Sequence, residues 1–119
     1  MIRVLIVDDE PAFRRQLHRL LVQAGLQVIG EAGDIPRAKQ LVAALQPDLA
    51  VVDLMLPGVN GVDGIVQMKV LCPSLRAILI SAHRNEANLL GAAAEEAGAE
   101  AFIPKDELDL SVVGAWNRS

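Results

Sequence analysis

Polar residues that could do chemistry follow four short, mostly apolar runs of this 119-residue sequence. They are Asp8, Asp9, Asp53, Ser81 and Lys105. Three carboxylates brought within about 4–5 Å of one another repel by roughly 3–4 kcal/mol per pair at an effective dielectric near 20, so they need a cation. A site of hard oxygen ligands, with positions left for water and a phosphoryl oxygen, suits Mg²⁺. The residue types therefore predict a magnesium site that handles phosphate.

Asp53 is the strongest candidate for the reacting residue. It ends the run 49–52, Leu-Ala-Val-Val, which is typical of a strand buried on both faces, and a Pro-Gly turn soon follows. With a metal bound, one carboxylate oxygen stays free to act as a nucleophile and form an aspartyl phosphate. Lys105 and the metal would offset the charge on the transferred group, and the Ser81 hydroxyl can donate a hydrogen bond to a phosphoryl oxygen.

Five predicted strands alternate with five predicted helices, and the connections between them are short. The strands are predicted at 2–7, 26–31, 49–53, 76–80 and 99–103, and the helices at 11–24, 35–46, 62–71, 86–97 and 106–116. Asp34 is a predicted N-cap, and Gly25 and Gly98 are predicted stop signals. The helix at 86–97 is rich in alanine and has few large apolar residues, so we expect it to be the least firmly packed.

This alternation predicts an α/β fold with right-handed crossovers. We expect a flavodoxin-like three-layer sandwich, in which a five-stranded parallel sheet of order 2-1-3-4-5 carries five helices on its two faces. Strand 3 then lies between strands 1 and 4, with strand 5 next to strand 4. In such sheets ligands bind beyond the carboxyl ends of the strands. That edge would bring Asp8, Asp9, Asp53 and Ser81 together, and the long side chain of Lys105 could reach across to them.

Composition excludes several other classes of protein. A chain of 119 residues with 52% hydrophobic residues is one globular domain with a single sizeable core, and its 3% aromatic content favours an aliphatic sheet under Ala-rich helices. The net charge of −4 without a basic cluster argues against direct contact with nucleic acid. Cys72 is the only cysteine, so no internal disulfide can form. The first apolar run is too short for a signal peptide, and nothing approaches a membrane span, so we expect a cytoplasmic location and no membrane partner.

Four short motifs occur in order, each at the end of a predicted strand. They read Val-Asp8-Asp9-Glu, Val-Val-Asp53-Leu-Met-Leu-Pro-Gly, Ile-Ser81-Ala and Phe102-Ile-Pro-Lys105. Each motif alone is weak, but the set of four is highly specific. Through them the chain, from residue 2 to about residue 113, resembles the receiver domain of bacterial two-component response regulators.

The resemblance implies a role for each of these residues. Asp53 would accept a phosphoryl group from a partner histidine kinase. Asp9, Asp53 and the backbone carbonyl of Met55 would ligate Mg²⁺, and Asp8 would act through water. Ser81 and Phe102 match the pair of switch residues that rearranges on phosphorylation in this family. The chain itself would be a phosphoacceptor, with at most self-phosphorylation and self-dephosphorylation activity, rather than an enzyme acting on external substrates.

The resemblance also implies partners. The face formed by the fourth helix, fifth strand and fifth helix should shift on phosphorylation and meet an output domain or partner protein, and a homodimer is a further option. Residues 1–119 form a single predicted receiver without an output domain, so the chain is expected to be a piece of a longer regulator. The runs at 28–32 and 104–106 resemble receivers that precede helix-turn-helix DNA-binding domains, which favours a transcriptional regulator.

Three other functions fit parts of the pattern. A haloacid-dehalogenase-like phosphohydrolase also uses an aspartate at a strand end, but it needs a second acid two residues later, where this chain has Met55. A flavin- or dinucleotide-binding domain needs a Gly- or hydroxyl-rich loop after the first strand, where this chain has Asp-Asp-Glu-Pro. A receiver-like scaffold for dimerisation or interaction that works without phosphorylation is not distinguished by sequence.

Overall fold

A computed structural model describes residues 1–118 and contains five strands, five α-helices and one 3₁₀ turn. The strands are β1 (Arg3–Val7), β2 (Gln27–Ala32), β3 (Leu49–Asp53), β4 (Arg76–Ser81) and β5 (Ala99–Pro104). The helices are α1 (Pro11–Gln23), α2 (Ile35–Leu45), α3 (Gly61–Leu71), α4 (Arg84–Glu96) and α5 (Leu110–Gly114), with the 3₁₀ turn at Lys105–Glu107. The longest of these helices have 13 residues, and none is long and apolar enough to cross a membrane.

The sheet is parallel and has the order β2-β1-β3-β4-β5, so the predicted fold class is confirmed. The register fixes which strand ends are neighbours. Val7 pairs with Val52, and Asp53 pairs with Ile80, so the residues that follow β1, β3 and β4 leave the same edge side by side. All five residues of β3 are buried, as its continuous apolar run predicted.

Two apolar clusters lie on opposite faces of the sheet. Helices α2, α3 and α4 cover one face around Ile35, Ile65 and Met68, and we call this the α2–α4 core. Helices α1 and α5 cover the other face around Leu17 and Leu21, and we call this the α1–α5 core. Alternate side chains of the strands feed the two cores, because successive strand residues point to opposite faces.

Local signals explain where most helices begin and end. The predicted N-cap Asp34 accepts the backbone N–H of Arg37 at 2.8 Å, and Asn60 does the same for Asp63 at 2.9 Å at the start of α3. The predicted stop residues Gly25 and Gly98 have φ of 87° and 96°, a region that glycine occupies without steric cost. Helix α4 buries only Ala94, which agrees with the loose packing expected of it.

The expectation of one final helix over 106–116 is wrong. The chain makes the 3₁₀ turn at Lys105–Glu107, becomes extended at Leu108, and starts α5 only at Leu110. The reason is a second N-cap, because the Asp109 side chain accepts the N–H of Val112 at 2.8 Å. Trp116 lies beyond α5 and is only 5% exposed in the α1–α5 core.

Candidate functional site

The carboxyl edge of the sheet collects the predicted acidic residues. Asp53 ends β3 and is 4% exposed, Asp8 follows β1 and is fully buried, and Asp9 next to it is exposed. Each of the three offers a carboxylate oxygen, and these oxygens all lie within 4.8 Å of one another. The three acidic residues therefore form one cluster, as the sequence predicted.

Lys105 reaches this cluster from the end of β5. Its Nζ lies 2.8 Å from Asp8 Oδ2, 3.2 Å from Glu10 Oε1 and 3.5 Å from Asp53 Oδ2. It also lies 4.3 Å from the centroid of the Phe13 ring, a cation–π distance. Burial disfavours the charged ammonium, but the contact with Asp8 and the charges of Asp53 and Asp8 outweigh it and raise the pKa of Lys105. Lys105 is therefore held as a cation between the carboxylates.

The environment of Asp53 strongly raises the pKa of its carboxyl group. Burial, followed by the charge of Asp8, raises its pKa from 3.8 to about 6, while Lys105 and the backbone N–H of Met55 partly oppose the rise. A carboxyl group with this pKa is half-protonated at pH 6 and mostly ionised above pH 7, where its carboxylate is poorly solvated. Strongly shifted pKa values of this kind are typical of functional sites and not of solvated strand ends.

Asp8 supports the fit of a cation to the cluster. Its Oδ1 accepts the N–H of Glu10 at 2.8 Å, whereas its Oδ2 is fully buried and accepts no hydrogen bond. That oxygen instead lies 2.8 Å from Lys105 Nζ in an ion pair. Three neighbouring carboxylates with one ammonium group between them leave excess negative charge on oxygen ligands, which is the kind of donor set that a hard divalent cation takes. The residues therefore fit Mg²⁺.

Ser81 lies at the predicted strand end, but its hydroxyl group is engaged elsewhere. The residue is fully buried, and its Oγ lies 2.6 Å from Glu86 Oε1 and 2.8 Å from the His83 carbonyl oxygen, and accepts the His83 N–H at 3.1 Å. Within residues 1–118 no hydrogen bond joins Ser81 to Asp53. The structure thus brings Ser81 to the correct edge with its hydroxyl turned toward α4.

The second predicted switch residue, Phe102, lies one strand away. It pairs with Leu79 in the sheet, is half-buried against the α2–α4 core, and lines a groove of about 360 Å³ between α4 and β5 together with Gly91 and Glu95. The Met55 side chain is 65% exposed, and its backbone lies next to Asp53. Met55 is therefore next to the acidic cluster, whereas Phe102 lies at the groove between α4 and β5.

The sequence reading missed two groups of contacts. Glu10 and Phe13 both contact Lys105. The contact with Glu10 could have been predicted because Glu10 directly follows the acidic pair, whereas nothing in the sequence indicates the contact with Phe13. Arg14 donates to the Asp8 carbonyl oxygen at 2.5 Å and pairs with Glu31 at 3.1 Å, so it ties the loop after β1 to β2. No motif marks that arginine.

The site is thus an acidic cluster contacted by a lysine at the carboxyl edge of a 2-1-3-4-5 sheet, the arrangement that the four sequence motifs predicted. The chain matches the response regulator receiver domain over residues 4–112, and it belongs to that family. The resemblance predicted from its motifs is confirmed. Receiver domains bind Mg²⁺ at an acidic pocket, and the group of Asp8, Asp9 and Asp53 in this chain could hold a metal ion.

Individual relatives include both isolated receivers and longer regulators. The chain is 35% identical to the chemotaxis protein CheY of Thermotoga maritima over 98% of its own length and 95% of that protein. It is 36% identical to the DNA-binding transcriptional activator DevR/DosR of Mycobacterium tuberculosis, of which it spans 48%. The receiver domain of NarL from the same organism superposes with a TM-score of 0.85 at 34% identity, covering 97% of this chain and 92% of that one. The chain thus spans nearly all of CheY but about half of DevR/DosR.

Proposed function

We propose that this chain is a phosphorylation-controlled switch in which Asp53 accepts a phosphoryl group from the phosphohistidine of a partner histidine kinase. A carboxylate oxygen of Asp53 attacks phosphorus and forms the new P–O bond. The P–N bond breaks, and the histidine leaves with its electron pair and takes up a proton. The observation that carries the proposal is the buried Asp53 with its raised pKa, which has Lys105 Nζ at 3.5 Å and the carboxylates of Asp8 and Asp9 beside it.

The surrounding residues have separate roles in this proposal. Asp9, Asp53 and the Met55 backbone carbonyl would hold Mg²⁺, with Asp8 acting through water. The bound metal would neutralise charge shared by the carboxylates and the transferred group. Lys105, already a cation, stabilises negative charge on the phosphoryl oxygens, and the Ser81 hydroxyl can donate to one of them.

The output of the switch is proposed at the α4–β5–α5 face. Phosphorylation adds about two negative charges at Asp53, which would draw Ser81 toward the phosphoryl group. Phe102 lines the α4–β5 groove, so a change in its position alters that surface directly. We expect an output domain or a partner protein to bind this face. By analogy with DevR/DosR and NarL, the whole protein would be a transcriptional regulator. Two copies of the chain could also form a homodimer through the same face. Phosphoryl transfer from the histidine kinase would take place in the cytoplasm. This domain itself would contact neither nucleic acid nor membrane.

The test is intact mass after incubation with acetyl phosphate and Mg²⁺. We expect one phosphoryl group on the wild type, and none with EDTA or in Asp53→Ala. Asp106→Ala, which removes an exposed acid near Lys105, should be labelled like the wild type. Equal labelling of Asp53→Ala would contradict the choice of acceptor. If no condition adds mass and beryllofluoride does not bind, the phosphorylation-independent scaffold becomes the better description.

A further inference from the structure

We propose that Glu86 is a positioning residue that holds the Ser81 hydroxyl away from Asp53 and thereby sets how readily the site accepts its phosphoryl group. The inference rests on the proposed function and adds a regulating residue to it. Its basis is one short contact at the start of α4, between a fully buried serine and a half-buried glutamate.

The contact between Ser81 and Glu86 has the geometry of a strong hydrogen bond. Ser81 Oγ and Glu86 Oε1 are 2.6 Å apart, within the range of O–H to carboxylate bonds, which are about twice as strong as neutral ones. The competing acceptor, the His83 carbonyl oxygen, is neutral and lies farther away at 2.8 Å. The serine proton is therefore directed to Glu86.

A hydroxyl group has a single proton to donate. Ser81 cannot donate to Glu86 and to a phosphoryl oxygen on Asp53 at the same time, so phosphorylation has to break the contact with Glu86. Each phosphorylation event thus competes with a bond that exists only in the unphosphorylated protein. Removing the acceptor on Glu86 should make the phosphorylated arrangement easier to reach.

The position of Glu86 allows its contact with Ser81 to break and allows the resulting movement to affect residues after β5. Glu86 lies in the first turn of α4, where a negative charge is favoured by the helix dipole, and its side chain lines an open groove between α3 and α4. Once freed, the carboxylate can turn to water at small cost. The same turn carries Arg84, which lies 3.5 Å from Asp106 and 3.6 Å from Glu107 after β5. Movement of this turn therefore reaches the 3₁₀ turn between β5 and α5.

The test measures beryllofluoride affinity in the presence of Mg²⁺, by ¹⁹F resonances of the bound anion, since this anion occupies the place of the phosphoryl group on Asp53. We expect Glu86→Ala to bind about tenfold more tightly than the wild type, a change of about 1.4 kcal/mol. Glu86→Gln keeps a neutral acceptor and should lie between the two. Glu96→Gln removes the same charge from an exposed position at the other end of α4 and should match the wild type.

A double-mutant cycle separates positioning from general electrostatics or loosening of α4. Ser81→Ala should weaken beryllofluoride binding, and adding Glu86→Ala to it should change nothing further, because no hydroxyl is left to hold. The inference is overturned if Glu86→Ala binds no more tightly than the wild type, or if its gain persists in the Ser81→Ala background. In both cases a wild type that still binds leaves the proposed function intact, whereas a wild type that takes neither phosphoryl nor beryllofluoride overturns both.

Discussion

Replacement of Asp53 by asparagine should stabilise the metal-free protein at neutral pH. The folded protein holds this carboxyl at a pKa of about 6 against 3.8 when it is free in solution, a difference of about two pKa units. At about 1.36 kcal/mol per unit, keeping Asp53 charged costs the folded state up to about 3 kcal/mol. Asparagine has the same size and no charge, so Asp53→Asn should gain most of that free energy of unfolding.

The stability difference between Asp53→Asn and the wild type should depend on pH. Between pH 4 and 6 the folded state binds more protons at Asp53 than the unfolded state does, so the free energy of unfolding of the wild type falls as pH rises through that window. Below about pH 4 the carboxyl is protonated in both states and contributes nothing. The advantage of Asp53→Asn should therefore be close to zero at pH 4 and complete above pH 7.

Urea denaturation in EDTA at pH 4, 6 and 8 measures this difference directly. The difference between the wild type and the variant cancels the contributions of carboxyl groups that lie far from Asp53, because these titrate alike in both proteins. Glu96→Gln serves as the control, because it removes one exposed charge and should show no such trend. A gain for Asp53→Asn that is the same at pH 4 and pH 8, or a variant less stable than the wild type at pH 8, would refute the reasoning.

Three further predictions concern the metal ion and two glycines of contrasting surroundings. Mg²⁺ at about 100 times its dissociation constant should raise the free energy of unfolding of the wild type by about 2.7 kcal/mol. The Asp9→Asn variant should lose most of this stabilisation. If the variant is stabilised as much as the wild type, Asp9 is not a metal ligand. Gly61→Ala should lower the free energy of unfolding by about 1–3 kcal/mol, since its Cβ would lie 2.8 Å from Leu79 Cδ1 and closer still to the Asp53 carbonyl oxygen. Gly91→Ala, with nothing within 4 Å of its Cβ, should instead raise it by about 0.5–1 kcal/mol, and urea titrations that find both variants equally destabilised would contradict the steric argument.

Sequence reasoning reached the fold and the acidic cluster because both follow from strong local signals. The run 49–52 before Asp53 is apolar at every position, which is typical of a strand buried on both faces, and it places the aspartate at the sheet edge. Short connections between alternating strands and helices then leave few topologies. The gathering of Asp8, Asp9 and Lys105 beside Asp53 follows from strand order alone, and the roles of these residues stay predictions.

The contacts that the sequence could not give depend on where helices begin. The predicted start of α4 is residue 86, whereas the helix begins at Arg84, and the side chain of Glu86 in its first turn contacts Ser81. The predicted final helix over 106–116 does not form as one element, because Leu108 is extended and the cap at Asp109 sets the start of α5. Several residues within one or two turns can each cap the start of a helix, and the amino-acid composition does not show which of them does.

The two faces of the sheet carry one natural reporter group each. Cys72, the only thiol, is 2% exposed in the α2–α4 core, and Trp116, the only indole, is 5% exposed in the α1–α5 core. Thiol labelling and tryptophan fluorescence can therefore follow the opening of the two faces separately in the unaltered chain. Coincident transitions would show that the domain unfolds as one cooperative unit, and separated ones would show that one layer of helices detaches first.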